Sequence, residues 1–488
     1  MLFVTRLLIP GKSTRACREE NALRQSRPEA GMNDRTLTRP EDPRARWRGL
    51  LDHPRGLWVL TGTELCERIS FHGMQALLTL YMAEQLLLPG HIGHVIGFAT
   101  FRCIVEGVTG PLSVTALATQ TFGLYVGLIY FTPVIGGWLG DRVTGRRAAV
   151  TAGALLMTAG HFSLAFDASF LLALLLLIVG AGLLRGNLSA QIKALYADGD
   201  RREADAFQLY YVGINLGAFI APIVTGALAV VYGWHAGFAF AGFGMLVGLL
   251  VYLAGQRHLP ADRARVDAVK RDRLTPAERT RLAALLAIWP LITCFWIAQS
   301  QVWNVYNLWV RDHLDRQVGG IIIPVPWLQA LDGLAPVLVM PLFLALWRRQ
   351  AAAELEPDSL AKLAIGCLVF GGGTAWLSLA SLVSDATGRA PLIWAVAFHL
   401  LTNIGWLYVT PIALALYAAE APPGLRGTLI GINTLSTFAG SVISGRMGAL
   451  YERWTPSEFW LLHAAIVAGA GLVLLAIGPV LRRRLLPT

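Results

Sequence analysis

The chain has 488 residues, 55% hydrophobic and only 15% charged, whereas a soluble domain carries about 25% charged residues, so lipid is the expected solvent. The formal net charge of +10 lies in short segments between long apolar runs, which reads as topology and excludes a nucleic-acid-binding surface. Five cysteines (Cys17, Cys66, Cys103, Cys294, Cys367) show no paired spacing, so neither a disulfide framework nor a metal site is expected.

Residues 1–54 are polar, arginine-rich and broken by prolines, and are expected to form a disordered cytoplasmic tail. The opening MLFVTRLLIP is too short for a signal-peptide core and lacks a small-residue cleavage site, and Met32 is an alternative start to Met1. Apolar runs follow, each long enough to cross a hydrocarbon core of about 30 Å as a helix. Spans are predicted near 55–86, 120–141, 147–166, 168–196, 205–231 and 236–255. A second set falls near 282–310, 324–348, 360–384, 390–418, 427–450 and 458–482. Residues 87–119 read as a long loop punctuated by Gly and Pro, with room for a short amphipathic helix.

Basic residues alternate in the way the positive-inside rule requires. One side collects Arg142, Arg146, Arg147, Lys193, Arg202, the linker 256–281, Arg348, Arg349, Lys362, Arg426 and Arg482–Arg484, while the other holds only isolated cases such as Arg102 and Arg311. The expected architecture is an all-α membrane protein of twelve transmembrane helices in two six-helix bundles, 55–255 and 282–482, with a tail at 483–488. Both termini are expected on the cytoplasmic side of a bacterial-type inner membrane.

An ionisable side chain inside a span costs about 2.5–3.5 kcal/mol or more, so each needs a reason. Glu64, Glu67 and Arg68 stand at i, i+3 and i+4 of the first span, on one helical face. One acid paired to the arginine and one free to take a proton form a proton-handling unit; the alternative is a structural ion pair, which two acids and one base leave unbalanced. Arg185, near the middle of the fourth span, has no acid within a turn, so its partner lies on another helix or is a substrate anion. Asp332, the acid inside the eighth span, is the natural candidate for pairing with it across the two halves. Asn215, Gln301, Asn304 and Asn307 are either pocket groups or interhelical glue worth about 1 kcal/mol each. His72 lies one turn beyond Arg68, and His161 sits in the third span. No HExxH, GxSxG or GxxxxGK[ST] pattern occurs, so the expected protein is a carrier of a small solute and not an enzyme or an ATP-driven pump.

These segments carry a resemblance. GGWLGDRVTGRRA resembles the loop signature between spans two and three of the major facilitator superfamily, which implies a conformational charge network at Asp141, Arg142, Arg146 and Arg147. ELCERISFHGMQALLTLYM resembles the first-span ExxER motif of the proton-dependent oligopeptide transporters, and FQLYYVGINLGAFIAP with YGWHAGFAFAGFGM resembles that family's fifth and sixth spans. The resemblance implies import of di- and tripeptides by alternating access, with protons as the coupling ion, no other cofactor, and a monomer. By the same resemblance Glu64, Glu67 and Arg68 couple protons to the peptide carboxylate, and Tyr130, Asn215, Arg185 and Gln301 stand at pocket positions. Arg185 replaces a lysine and cannot become a neutral amine.

The C-terminal half departs from the family pattern. Ser300-Gln301 stands for Glu-Gln, Trp406 for the tenth-span glutamate that receives the peptide amino terminus, Asp332 for an asparagine, and Asn433 for a tryptophan. Phe71-His72 stands for one tyrosine pair, and His72 adds a group that titrates near neutral pH. Asp332 is expected to take over the ammonium, with the Trp406 face adding about 0.5–2 kcal/mol of cation–π attraction. Alternatively the pocket serves another anion or zwitterion, and Asp332 merely neutralises Arg185.

Overall fold

The computed structural model describes residues 52–197, 199–200, 202–262, 274–422 and 425–485. Nearly all of the expected N-terminal tail, residues 263–273 of the linker and the last three residues lie outside the described residues.

Fourteen α-helices are described. The first group is α1 (Arg55–Tyr81, continued by one π turn to Leu86), α2 (Phe98–Thr109), α3 (Val114–Leu139), α4 (Arg146–Ser163), α5 (Phe170–Lys193), α6 (Arg202–Tyr232) and α7 (Trp234–Gly255). The second group is α8 (Pro276–Gln301), α9 (Val305–His313), α10 (Val325–Ala352), α11 (Ser359–Thr387), α12 (Ile393–Ala419), α13 (Arg426–Met447) and α14 (Pro456–Leu485). Twelve are long, α2 and α9 being short, and they form two six-helix bundles. Helices are the only open-ended way to satisfy every backbone N–H and C=O inside lipid.

Nine of the long helices qualify as spans on apolarity alone. The others, α1, α4 and α13, fall short for visible reasons. Helix α1 carries Glu64, Glu67 and Arg68, α4 opens on Arg146-Arg147, and α13 runs through Ser, Thr and Asn between Arg426 and Arg446. Most of α1 is buried against α6 and α7, where protein and not lipid is its solvent. Helix α2, in the loop after α1, buries Phe98 and Val105, carries the partly exposed Arg102–Glu106 pair, and also exposes the apolar Ile104 and Val108. Helix α8 begins at Pro276, inside the segment assigned to the linker, because Thr275 and Glu278 form a capping box there.

The predicted seventh span is not one helix. The chain leaves helical geometry between α8 and α9, where Asn304 has φ −109° and ψ −98°. Gln329 of α10 donates to the Val302 carbonyl at 2.6 Å, satisfying a backbone group the break sets free.

The two bundles meet along α3–α13 and α6–α10. On the side where α1 ends (the far side), the seams are tight. A methyl at Gly123 would lie 2.6 Å from Gly445 Cα, and one at Gly226 would lie 2.9 Å from Pro326. Thr79 donates to Asn304, Asn304 donates to the Thr119 carbonyl, and Arg446 donates to the Thr109 carbonyl. Toward the side carrying the linker, the α3–α13 seam widens until a methyl at Gly431 would be 3.9 Å from Val134. The seams are backbone-close on the far side and loosen to ordinary side-chain contact between α3 and α13 toward the linker side.

Candidate substrate and proton site

The face predicted from spacing in α1 is the centre of a buried ion cluster. Arg68 Nε lies 2.8 Å from Glu64 Oε1 and 2.7 Å from Glu67 Oε2. Arg185, on α5, donates from Nε at 2.9 Å and from Nη2 at 2.8 Å to Glu67 Oε1. Tyr210 of α6 donates to Glu64 Oε2 at 2.6 Å, and the Phe71 ring lies 4.0 Å from the Arg185 guanidinium. Glu67 is wholly buried, at 0% exposure. Two carboxylates and two guanidiniums balance, so the imbalance read from α1 alone disappears once α5 is counted.

Arg185 therefore does not pair with Asp332. Glu67 is nearer and buried, and a guanidinium in an apolar bundle takes the charge that shares its burial. Asp332, on α10, is held from the second bundle instead. His399 Nδ1 is 2.7 Å from its Oδ1, and Asn403 Nδ2 donates to the same oxygen at 2.9 Å. Its Oδ2 is buried without a partner.

A cavity of about 220 Å³ lies between the bundles. Of the residues predicted to bind substrate, Arg68, His72, Tyr130, Asn215, Asp332 and Trp406 line it. Arg185 and Gln301 are not among its walls. Arg185 stands behind Glu67, and Gln301 is fully buried with its amide on the Ser444 carbonyl at 2.9 Å. Ser300, its neighbour, lines the cavity and bonds Ser441 at 2.9 Å. Sequence reading missed Gln75, Tyr211, Trp296, Trp303 and Asn403, which are also among the walls. Trp303 packs 5.1 Å from the His72 ring. The pattern AFQLYYVG held a signal for Tyr210 and Tyr211, two hydroxyls inside an apolar span; Asn403 carried none beyond being an amide in one.

At the linker end of α3 and α4, Asp141 accepts from Arg146 Nε at 2.8 Å, and Arg146 Nη1 donates to the Ala190 carbonyl at 3.3 Å. Arg147 donates to the carbonyls of Pro260 and Leu259, and the Arg142 guanidinium faces the Trp138 ring at 5.9 Å. Asp262 accepts from the backbone N–H groups of Arg146 and Arg147. These contacts bind α4 to the chain that leaves α7.

A polytopic helical protein with a polar cavity between two bundles, and buried ion groups facing it, is a membrane carrier of small solutes. Comparison narrows the class. The POT family model (PTR2) matches residues 147–272 and 264–461, and the chain belongs to that family. It is 28% identical to the peptide transporter YePEPT of Yersinia enterocolitica, the alignment covering 89% of this chain and 96% of the relative. It is 26% identical to the di-/tripeptide transporter of Lactococcus lactis subsp. lactis, over 87% of this chain and 95% of that one. The crystal structure of a peptide transporter POT in complex with sulfate superposes with a TM-score of 0.78 at 26% identity, covering 88% of this chain and 96% of that one. The chain is an integral membrane protein with the major facilitator architecture.

Proposed function

We propose that this chain is a proton-coupled symporter that imports di- and tripeptides by alternating access. The observation that carries the reading is the charge on the two walls of one cavity. Arg68 reaches it from a cluster that is neutral when both acids are ionised, and Asp332 reaches it with an unpartnered carboxylate oxygen. A proton taken by Glu64 or Glu67 leaves the cluster one positive charge in excess, which a peptide carboxylate on Arg68 neutralises. Asp332 receives the ammonium on the opposite wall, the role for which Trp406 offers only a ring face. A zwitterion thus matches both walls, and its binding is linked to protonation. The named transport activities of the two relatives agree with this substrate class.

In this reading the linker side is cytoplasmic, the membrane is a bacterial-type inner membrane, and the structure is the inward-facing state. The first bundle is 55–255, the linker 256–275 and the second bundle 276–485, and the carrier works as a monomer. Proteoliposomes given labelled dialanine under an inward proton gradient test it. Accumulation that collapses with a protonophore is expected; no uptake by folded protein would reject the peptide.

A further inference from the structure

Where α6 and α10 meet on the far side, a second cavity, of about 490 Å³, opens between the bundles. Leu80 and Glu84 of the first helix, Val230 of α6, Trp234 of α7, and Arg311 and Arg316 of the second bundle are among its walls. They stand at the ends of α1 and α6, at the start of α7 and shortly before α10, and helix ends mark the headgroup level of a bilayer. The two guanidiniums differ. Arg311 is satisfied, donating to both oxygens of Asp312 at 2.7 and 2.8 Å and to Glu84 Oε1 at 3.3 Å. Arg316 donates from Nη1 to the Ile323 carbonyl at 2.8 Å, its Nε is buried without a partner, and among the described residues no carboxylate bonds it. Glu84 and Asp312 act on it only from a distance, while burial and Arg389 press against its charge.

A guanidinium does not escape this by losing its proton, so Arg316 calls for an anionic acceptor. Beside the mouth the surface is apolar. Val230, Val231 and Tyr232 at the end of α6, and Ile321 and Ile322 in the hairpin between α9 and α10, are each at least 65% exposed. In a membrane protein hydrocarbon covers such a patch, with the tyrosine at the interface. A free phosphate would satisfy Arg316 and leave the apolar rim bare. An anionic lipid would set its net charge against Glu84. Arg311, Arg316, Glu84 and Asp312 sum to zero, so the guest that suits the walls has acyl chains and a headgroup with one charge of each sign.

We propose that this cavity binds one phospholipid bearing a phosphate and a primary ammonium, a phosphatidylethanolamine, which bridges the two bundles on the far side. The phosphate accepts from the free Nε–H of Arg316, the ammonium donates to Glu84, and the acyl chains run over the exposed end of α6. A choline headgroup has no N–H for Glu84 and makes only the phosphate contact. Because Glu84 and Arg316 belong to different bundles, the lipid adds a tie across the far-side seam. The site is separate from the substrate cavity and holds whatever solute the carrier moves.

Native mass spectrometry of the delipidated full-length protein, titrated with single lipids, tests this. The wild type should bind its first dioleoyl-phosphatidylethanolamine about tenfold more tightly than the phosphatidylcholine with the same chains. Arg316→Gln should lose about that factor for both lipids, since both carry the phosphate, and Arg316→Lys should recover part of it. Glu84→Gln should bind the two lipids equally. If Arg316→Gln fails to fold, Val230→Glu, at an exposed position, sets a competing carboxylate at the mouth and should release the lipid in its place. Inorganic phosphate and glycerophosphoethanolamine, which lack acyl chains, should not displace it. Displacement by either would make this a site for a soluble ion and overturn the lipid. Equal affinity of the wild type for both lipids, tighter binding of phosphatidylglycerol, or unchanged binding in the folded Arg316→Gln and Val230→Glu variants would overturn it too.

Discussion

Glu67 is the residue on which both guanidiniums of the cluster end, Arg68 on one oxygen and Arg185 on the other. Glu67→Gln would leave two buried cations to one remaining acid, Glu64. Removing one partner of a buried pair costs about 3–5 kcal/mol, so a lower melting temperature is expected. In liposomes the variant should lose proton-driven accumulation and keep counterflow exchange; equal loss of both would mean that Glu67 is only structural. Asp332→Asn removes the charge and keeps the shape. It should raise the half-saturation concentration for dialanine at least tenfold, about 1.4 kcal/mol, while barely changing it for a solute without an amine. Equal effects on both solutes would sink the ammonium role. The triad of α1 was legible because spacing on one helix places Glu64, Glu67 and Arg68 together without any tertiary information. The partners of Arg185 and Asp332 were not. They lie 118 and 67 residues away, and a lone charge in a span states only that a partner exists.

At the scale of elements, hydropathy located the spans because length and apolarity are what a bilayer demands, but it could not see the break between α8 and α9. The apolar run continues through it, and the break is written in amides instead. Gln329 donates to the Val302 carbonyl and to Asn307 Oδ1, each at 2.6 Å. Gln329→Leu should strand both acceptors at about 1–3 kcal/mol each, read as a fall in thermal stability with the helix content of the span largely kept. A melting curve that matched the wild type would mean water replaces the amide. The loop helix α2 offers a pH test outside the spans. Glu106 accepts from the Leu112 N–H at 3.0 Å and from Arg102 at 2.9 Å, and these bonds, the backbone one foremost, hold its carboxyl below the ordinary glutamate range. A depressed carboxylate contributes stability above its unfolded value, and that contribution is lost as pH falls through the folded one. The protection factor of the Leu112 amide, its exchange corrected for the intrinsic rate at each pH, should therefore fall in acid and be level across neutral pH. Glu106→Gln should flatten the acid limb.

For the whole molecule, the proposed alternating-access cycle requires that the far side open while the linker side closes, and the tight far-side seams are what such an opening must break. Gly123 and Gly445 let α3 and α13 touch backbone to backbone, as small residues do where membrane helices approach closely. Even the methyl of Gly123→Ala would sit 2.6 Å from Gly445 Cα and 2.6 Å from the Ser441 carbonyl oxygen, neither of which is the end of a flexible side chain. The closed seam must part, whereas a far-side-open state has no such contact to lose, so the substitution shifts the population by destabilising one state. Spin labels at Gly93 and Gln317, exposed on the far side of the two bundles, report the separation in a background freed of native cysteines. The Gly123→Ala distribution should move to longer distances, with steady-state uptake falling and substrate binding kept. An unchanged distribution would mean that the seam yields elsewhere, and that the far-side ties from Asn304 and Arg446, and not the glycine contact, set the closed state.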